Sequence, residues 1–339
     1  MALVDSGWRR LALTAFSVAL IVLPYWTSPF VVEVVSQAAL AAVGALALNV
    51  LTGMAGQISL GHAGFLAAGA FTVGLLVEAI KAPPYLTLPA AGLVGAGLGL
   101  VVGGPSLRLK GLYLALGTLA MHYLVLYAGG EYQARWGFNT GISVPPLSLG
   151  PFRIRTTTQW YYTLVTLAAL ATLCCVNLVR SRVGRAWMAI RDREVAAASL
   201  GVPVARYKLL AFVVSSVMTS LAGAIWAYQR SFVSVEAFGF GLTIEYIAMI
   251  IIGGMGSVLG ALVGAAFVTL IPHVIDGAAV VLGLGAAEYY LFPLKFGAFG
   301  LLMALFLLFE PQGLIGIWRR ARNWLWLWPL RYAPLRPGR

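Results

Sequence analysis

The chain has 339 residues, 60% of them hydrophobic and 10% charged, with a mean hydropathy of +0.89. A water-soluble domain of that length needs far more polar surface, so lipid is the solvent for most of it. The formal charge of +12 does not point to nucleic acid, because the basic residues sit in short connectors between apolar runs and no folded basic domain carries them.

About 20 apolar residues are needed to cross the hydrocarbon layer, and they must be helical because lipid offers no partner to an unpaired backbone group. Strand-type alternation is absent, which argues against a β-barrel. Apolar runs set off by polar or Pro/Gly breaks predict spans at roughly 11–27, 32–51, 63–80, 85–104, 111–129, 160–179, 208–229, 242–254, 257–275 and 290–309. The expected fold class is therefore an all-α, polytopic transmembrane bundle of about ten spans, with eight to ten as the range. Residues 242–271 would make one helix too long for a bilayer, and Gly253-Gly254-Met255-Gly256 is a natural place to break it.

At the N-terminus, Arg9 and Arg10 precede the apolar run Leu11 to Trp26 in the manner of a signal sequence. No small-x-small site follows at Thr27, Ser28 and Pro29, so an uncleaved first span is expected. Placing both termini in the cytoplasm puts 17 of the 23 lysines and arginines on the inner side and 6 on the outer, as the positive-inside rule requires. Residues 1–318 then form the transmembrane domain, and 319–339 form a basic cytoplasmic tail. Cys174 and Cys175 are adjacent within an apolar run and read as small packing residues, since neighbouring cysteines are poorly placed for a mutual disulfide and too few for zinc.

Two connectors are long. The outer one, about Gly130 to Gln159, contains Asn139-Thr140-Gly141 and Pro145-Pro146, turn signals in a loop suited to a pore mouth or an external partner. The inner one, about 180–208, carries seven basic residues against Asp192 and Glu194, yet its runs Val183 to Ile190 and Val195 to Leu200 are too apolar for a disordered tail. Asp192 is a candidate N-cap for a short helix through Leu200, with Gly201 and Pro203 as the stop. A short helix lying along the membrane with a small alanine face reads as a docking element.

Within the spans, Gly95, Gly99 and Gly103, and again Gly256, Gly260 and Gly264, repeat every four residues, a spacing that lets helices pack closely. Gly53-x-x-Gly56 with Gly64 is faintly echoed by Gly253-x-x-Gly256 with Gly264. Three matched glycines do not establish a duplication. No G-x-x-x-x-G-K-[S/T] loop occurs, so any ATP must be hydrolysed by a partner, and neither H-E-x-x-H nor G-x-S-x-G is present. His62, His122 and His273 show no metal-ligand spacing, and neither a metal nor a cofactor is expected. His122, near the middle of the fifth span, reads either as functional or as a neutral imidazole hydrogen-bonded to a neighbouring helix. Glu33, Glu78, Glu245 and Glu288 fall near outer span ends, where interfacial solvation accounts for them. The lack of a mid-membrane carboxylate set argues against an ion-coupled carrier.

The stretch Leu51 to Phe65 differs from the rest. Gly53, Gly56, Gly61 and Gly64 alternate with Gln57, Ser59 and His62, which suggests non-helical backbone at membrane depth, tolerated only where it is buried in protein or lines a wet cavity. Gly53, Gly56, Gln57, Ser59 and His62 are therefore candidates for a translocation pathway or gate. A tight cytoplasmic turn between the second and third spans is the other reading.

The run Leu48 to Phe65, together with Ala189-Ile190-Arg191-Asp192-Arg193-Glu194-Val195-Ala196-Ala197-Ala198-Ser199-Leu200-Gly201 and Tyr207 to Phe212, closely resembles the branched-chain amino acid ABC importer permeases of the LivM type. The likeness extends to Leu221-Ala222-Gly223-Ala224 and Ile252 to Ser257, covering about residues 40 to 315. It implies a bacterial inner-membrane subunit without enzymatic activity, forming part of the pathway for leucine, isoleucine or valine. It also implies a second homologous permease, two cytoplasmic ABC ATPase subunits and an external substrate-binding protein as partners. Glu194-x-Ala196-Ala197-x-x-x-Gly201 looks like the coupling helix of such permeases, with Arg191, Asp192 and Glu194 as charged contacts to the ATPase. Ala197 belongs to its small face and Gly201 to its sharp exit. Val195 stands where the general importer motif has alanine. Similar machinery serves urea, short amides or other neutral amino acids, and an ATP-independent carrier or channel is the rival of a different class.

Overall fold

The computed structural model describes residues 7–106, 111–136, 141–149, 152–281, 297, 300–306, 308–310 and 312–327. Its long helices are α1 (Gly7–Trp26), α2 (Pro29–Leu48), α3 (His62–Ile80), α4 (Pro84–Ser106), α5 (Leu112–Trp136), α6 (Thr157–Arg180), α9 (Val204–Arg230), α10 (Phe240–Gly253) and α11 (Val258–Val281). Two short helices, α7 (Arg182–Asp192) and α8 (Glu194–Ser199), join α6 to α9, and α12 (Gly313–Leu327) follows later. The fold is all-α, and eight helical segments among the described residues are long and apolar enough to cross a membrane. They correspond to the second through ninth expected spans. In α1 the apolar stretch Thr14–Trp26 is shorter, and half of the tenth expected span lies outside the described residues, while its residues 297, 300–306, 308 and 309 are helical. The boundary after residue 318 lies within α12, and residues 328–339 of the tail lie outside the described residues, as does Glu288.

Local signals set the helix ends. Pro29 opens α2, where its missing N–H costs nothing. Thr156 and Gln159 form a reciprocal capping box at α6, and the Ser181 hydroxyl accepts from the Gly184 amide at 3.2 Å to start α7. The expectation for Asp192 is corrected: it ends α7, and the residue before α8 is Arg193, which makes no side-chain cap. The extended backbone of Arg193 (φ −154°) separates two helices where the sequence suggested a single capped start.

The core is centred on α9, which packs on α2, α3 and α4. The glycine series permits the close approach of these helices. A Cβ at Gly95 would come within 2.7 Å of the Ser216 carbonyl of α9, and one at Gly103 within 2.8 Å of Leu209. Gly260 and Gly264 similarly bring α11 against the end of α10, where a Cβ at Gly260 would stand 2.6 Å from the Gly254 carbonyl, whereas Gly256, ahead of α11, packs on Gly53 and Arg191. The expected break after α10 is present, with Gly254 and Gly256 at φ +115° and +80°. At the end of the bundle away from α7 and α8, Ile142–Ser143 (β1) pairs antiparallel with Phe232–Val233 (β4), and Ser148–Leu149 (β2) with Phe152–Arg153 (β3). Cys174 is exposed, Cys175 is buried, and both thiols are free.

Candidate functional site

The glycine-rich stretch after α2 is not a simple turn. Residues Asn49–Met54 continue α2 as a π-helix, and the chain then runs without regular structure to His62. Its backbone donors are met from several elements: the Leu60 amide donates to Thr118 Oγ1 of α5 at 2.9 Å, and the Ala63 amide to Thr243 Oγ1 of α10 at 3.1 Å. Non-helical backbone in a membrane bundle needs such partners from neighbouring helices. Gly53, Gln57, Ser59 and His62 are buried, while Gly56 is exposed and needs its glycine for a φ of +70°. The His62 ring lies 4.6 Å from that of Tyr246 on α10, and its Nε2 has no partner among the described residues.

The two candidate sets converge. Arg191 Nη1, at the end of α7, donates to the Gly53 carbonyl at 2.6 Å, and the side-chain carbons of Arg191 lie over Gly56, where a Cβ would come within 2.9 Å of Cγ. Gln57 Nε2 donates to the Lys208 carbonyl at 3.0 Å, and Lys208 Nζ pairs with Glu194 Oε2 at 2.8 Å. Residues Gly56, Gln57, Arg191, Glu194 and Lys208 thus share the walls of a cavity of about 220 Å3. Trp187, fully buried in α7, anchors the connector by donating from Nε1 to the Tyr207 carbonyl at 2.7 Å. Asp192, 68% exposed, accepts from Arg191.

The second glycine break joins the same cluster. Asn49 Oδ1 accepts from the Gly256 amide at 2.8 Å and Asn49 Nδ2 donates to the Ser257 carbonyl at 3.2 Å, so one amide side chain ties the π-helix to the α10–α11 turn. A Cβ on Gly53 would stand 2.5 Å from the Gly256 amide nitrogen. The two stretches whose glycine spacing echoes across the sequence therefore touch. Asn49 is a member of the site that the glycine pattern does not single out. The signal that could find it is an amide inside an otherwise apolar span.

Beyond the cluster, α8 turns outward. Ala197 is buried, whereas Val195 and Leu200 are each 84% exposed, and Gly201 leaves the helix at φ +82°, where a Cβ would meet nothing within 4 Å. His122 is fully buried between Tyr123 and Phe240, and neither ring nitrogen has a hydrogen-bond partner among the described residues. The expectation of a hydrogen-bonded imidazole is thus not met there. Glu245, the sixth residue of α10 and partly exposed, lies near the start of that helix as expected and lines a cavity bounded by α2, α9, α10 and α11. No group of three or more potential metal ligands occurs among the described residues.

Residues 30–308 match the family described as branched-chain amino acid transport system, permease component. The chain is 30% identical to the high-affinity branched-chain amino acid transport system permease protein LivM of Salmonella typhimurium, over 92% of this chain and 76% of that protein. Identity and coverage are the same with LivM of Escherichia coli. It is also 34% identical to the autoinducer 2 import system permease protein LsrC of Klebsiella pneumoniae, over 54% of this chain and 52% of that protein. No solved structure matches. With a helical bundle that can span a bilayer and a family match over residues 30–308, the chain belongs to the branched-chain amino acid transport system permease family.

Proposed function

We propose that this chain forms part of the translocation pathway of an ABC importer for leucine, isoleucine and valine in the bacterial cytoplasmic membrane. Both termini and α7–α8 face the cytoplasm. Two ATPase subunits bind α8 there, a second homologous permease completes the pathway, and an external binding protein delivers the amino acid. Supporting the cargo is the LivM likeness over most of the chain. The partial likeness to a permease named for another cargo means that the shared half does not by itself select the solute.

One observation carries the mechanism: the 2.6 Å bond from Arg191 to the Gly53 carbonyl joins the connector to the irregular segment between α2 and α3. The exposed Val195 and Leu200 form the surface that meets the ATPase, and Ala197 seats α8 on the bundle. ATP-driven closure of the ATPase pair moves α8, and Arg191 with the Lys208–Glu194 pair carries that motion to Gly53, Gly56 and Gln57. Arg191 and Glu194 act within the chain on this reading, while Asp192 remains available to the partner. Only a difference in affinity for the two states can drive the shift, and nucleotide supplies it at the ATPase. Proteoliposomes holding the whole assembly test this. ATP-dependent leucine uptake that requires the binding protein is expected, and uptake indifferent to ATP would establish a carrier or channel instead.

A further inference from the structure

Two cavities near the end of the bundle away from α8 share a wall. The outer, about 290 Å3, is bounded by Glu33, Arg155, Thr157 and Ser231. The inner, about 270 Å3, lies between α2, α9, α10 and α11. Gln229 and Arg230, in the last turn of α9, line both and form that wall.

Packing does not account for the lining of the inner chamber. Leu40, Leu242, Met249 and Val268 bring apolar side chains to its lining, while Gln37, Gln229, Arg230, Glu245 and His273 bring polar and ionisable groups to the same space. Glu245 lies within a segment apolar enough to span a membrane, and its carboxylate makes no hydrogen bond or ion pair among the described residues. Ionisable groups are costly in that setting, and they mark solute or ion paths. The Gln229 Nε2 is likewise buried without a partner among the described residues. Gln37 Nε2 donates to Glu33 Oε1 at 3.1 Å, continuing the polar line along α2 to the outer chamber. Tyr246, on the wall of the inner chamber, packs against His62, so this space meets the segment that Arg191 holds.

We infer that the inner chamber is a binding site for a small zwitterionic α-amino acid with an aliphatic side chain. Glu245 receives the ammonium group, Arg230 and Gln229 receive the carboxylate, and Leu40, Leu242, Met249 and Val268 enclose the side chain. The volume is below the roughly 300–1,000 Å3 of sites for drug-sized ligands, as a metabolite of this size requires. A solute without an ammonium group leaves Glu245 unpaired, so the chamber selects for charge as well as shape. The inference rests on the proposed amino acid cargo.

Labelling of the complete assembly tests it, with Thr269→Cys as reporter on the chamber wall in a Cys174→Ser background. Millimolar leucine is expected to slow maleimide labelling at least threefold, and 4-methylpentanoate, which lacks the ammonium group, is expected to have no effect. Adding Glu245→Gln abolishes the protection and lowers leucine uptake at least tenfold, and Glu245→Asp restores part of both. Normal leucine uptake by an assembly in which leucine gives no protection, or equal protection by the two solutes, overturns the site. Absence of leucine uptake in the unaltered assembly instead overturns the cargo reading.

Discussion

Replacing Arg191 by alanine removes the bond that joins α7 to the Gly53 carbonyl while leaving α8 and its exposed face in place. A hydrogen bond involving a charged group contributes about 1.5–3 kcal/mol. The Arg191 side chain is 38% exposed, so solvent screening puts the value near the lower end, about 1.5 kcal/mol. Since about 1.4 kcal/mol is a factor of ten, the connector and the irregular segment should hold their mutual position roughly tenfold less well. Transport per ATP hydrolysed is then expected to fall about tenfold, with ATP hydrolysis continuing, because the partner's docking surface is untouched. Lysine at this position keeps the charge but not the fork that reaches Gly53 and Asp192 together, and should recover only part of the loss. The assay is leucine uptake and phosphate release in the same proteoliposomes. An unchanged ratio of uptake to hydrolysis in Arg191→Ala would refute the relay.

Leu200→Glu, at a position 84% exposed, should leave thermal stability unchanged and sharply reduce co-purification of the ATPase subunits. Gly201→Ile meets no atom within 4 Å, so its cost is the left-handed backbone, about 1–2 kcal/mol; coupled uptake should fall, and Gly201→Asn, which tolerates that conformation, should retain most of it. Gly260→Leu drives a side chain into the Gly253 and Gly254 carbonyls and should lower the melting temperature by an overpacking cost of about 1–3 kcal/mol, whereas Gly97→Leu, with open space around it, should not.

The spans were legible because a lipid solvent imposes length and apolarity directly on the sequence, and the Gly254–Gly256 break was legible because φ values of +115° and +80° favour glycine. Glycines at four-residue spacing named the contact faces of α4 and α11, although not that α9 would be the common partner of α2, α3 and α4. What the sequence could not reveal was convergence across long separations. Asn49 finds Gly256 and Ser257 more than 200 positions away, and Arg191, read as a charge for a partner, turns inward to Gly53. Position along a span placed Glu245 near a helix end, but did not reveal the cavity that α2, α9 and α11 form with α10 beside it. The short helix was found from its alanines, and its start was misplaced because a backbone kink at Arg193, with no capping side chain, leaves no sequence signal.

The most direct measurement places a photo-crosslinking residue at Leu200 in the complete assembly in inverted and right-side-out vesicles. A crosslink to a nucleotide-hydrolysing subunit, with a yield that changes when ATP binds, is the expected result. Capture of the external binding protein, or labelling of the same position by a membrane-impermeant reagent from outside the cell, would contradict the account.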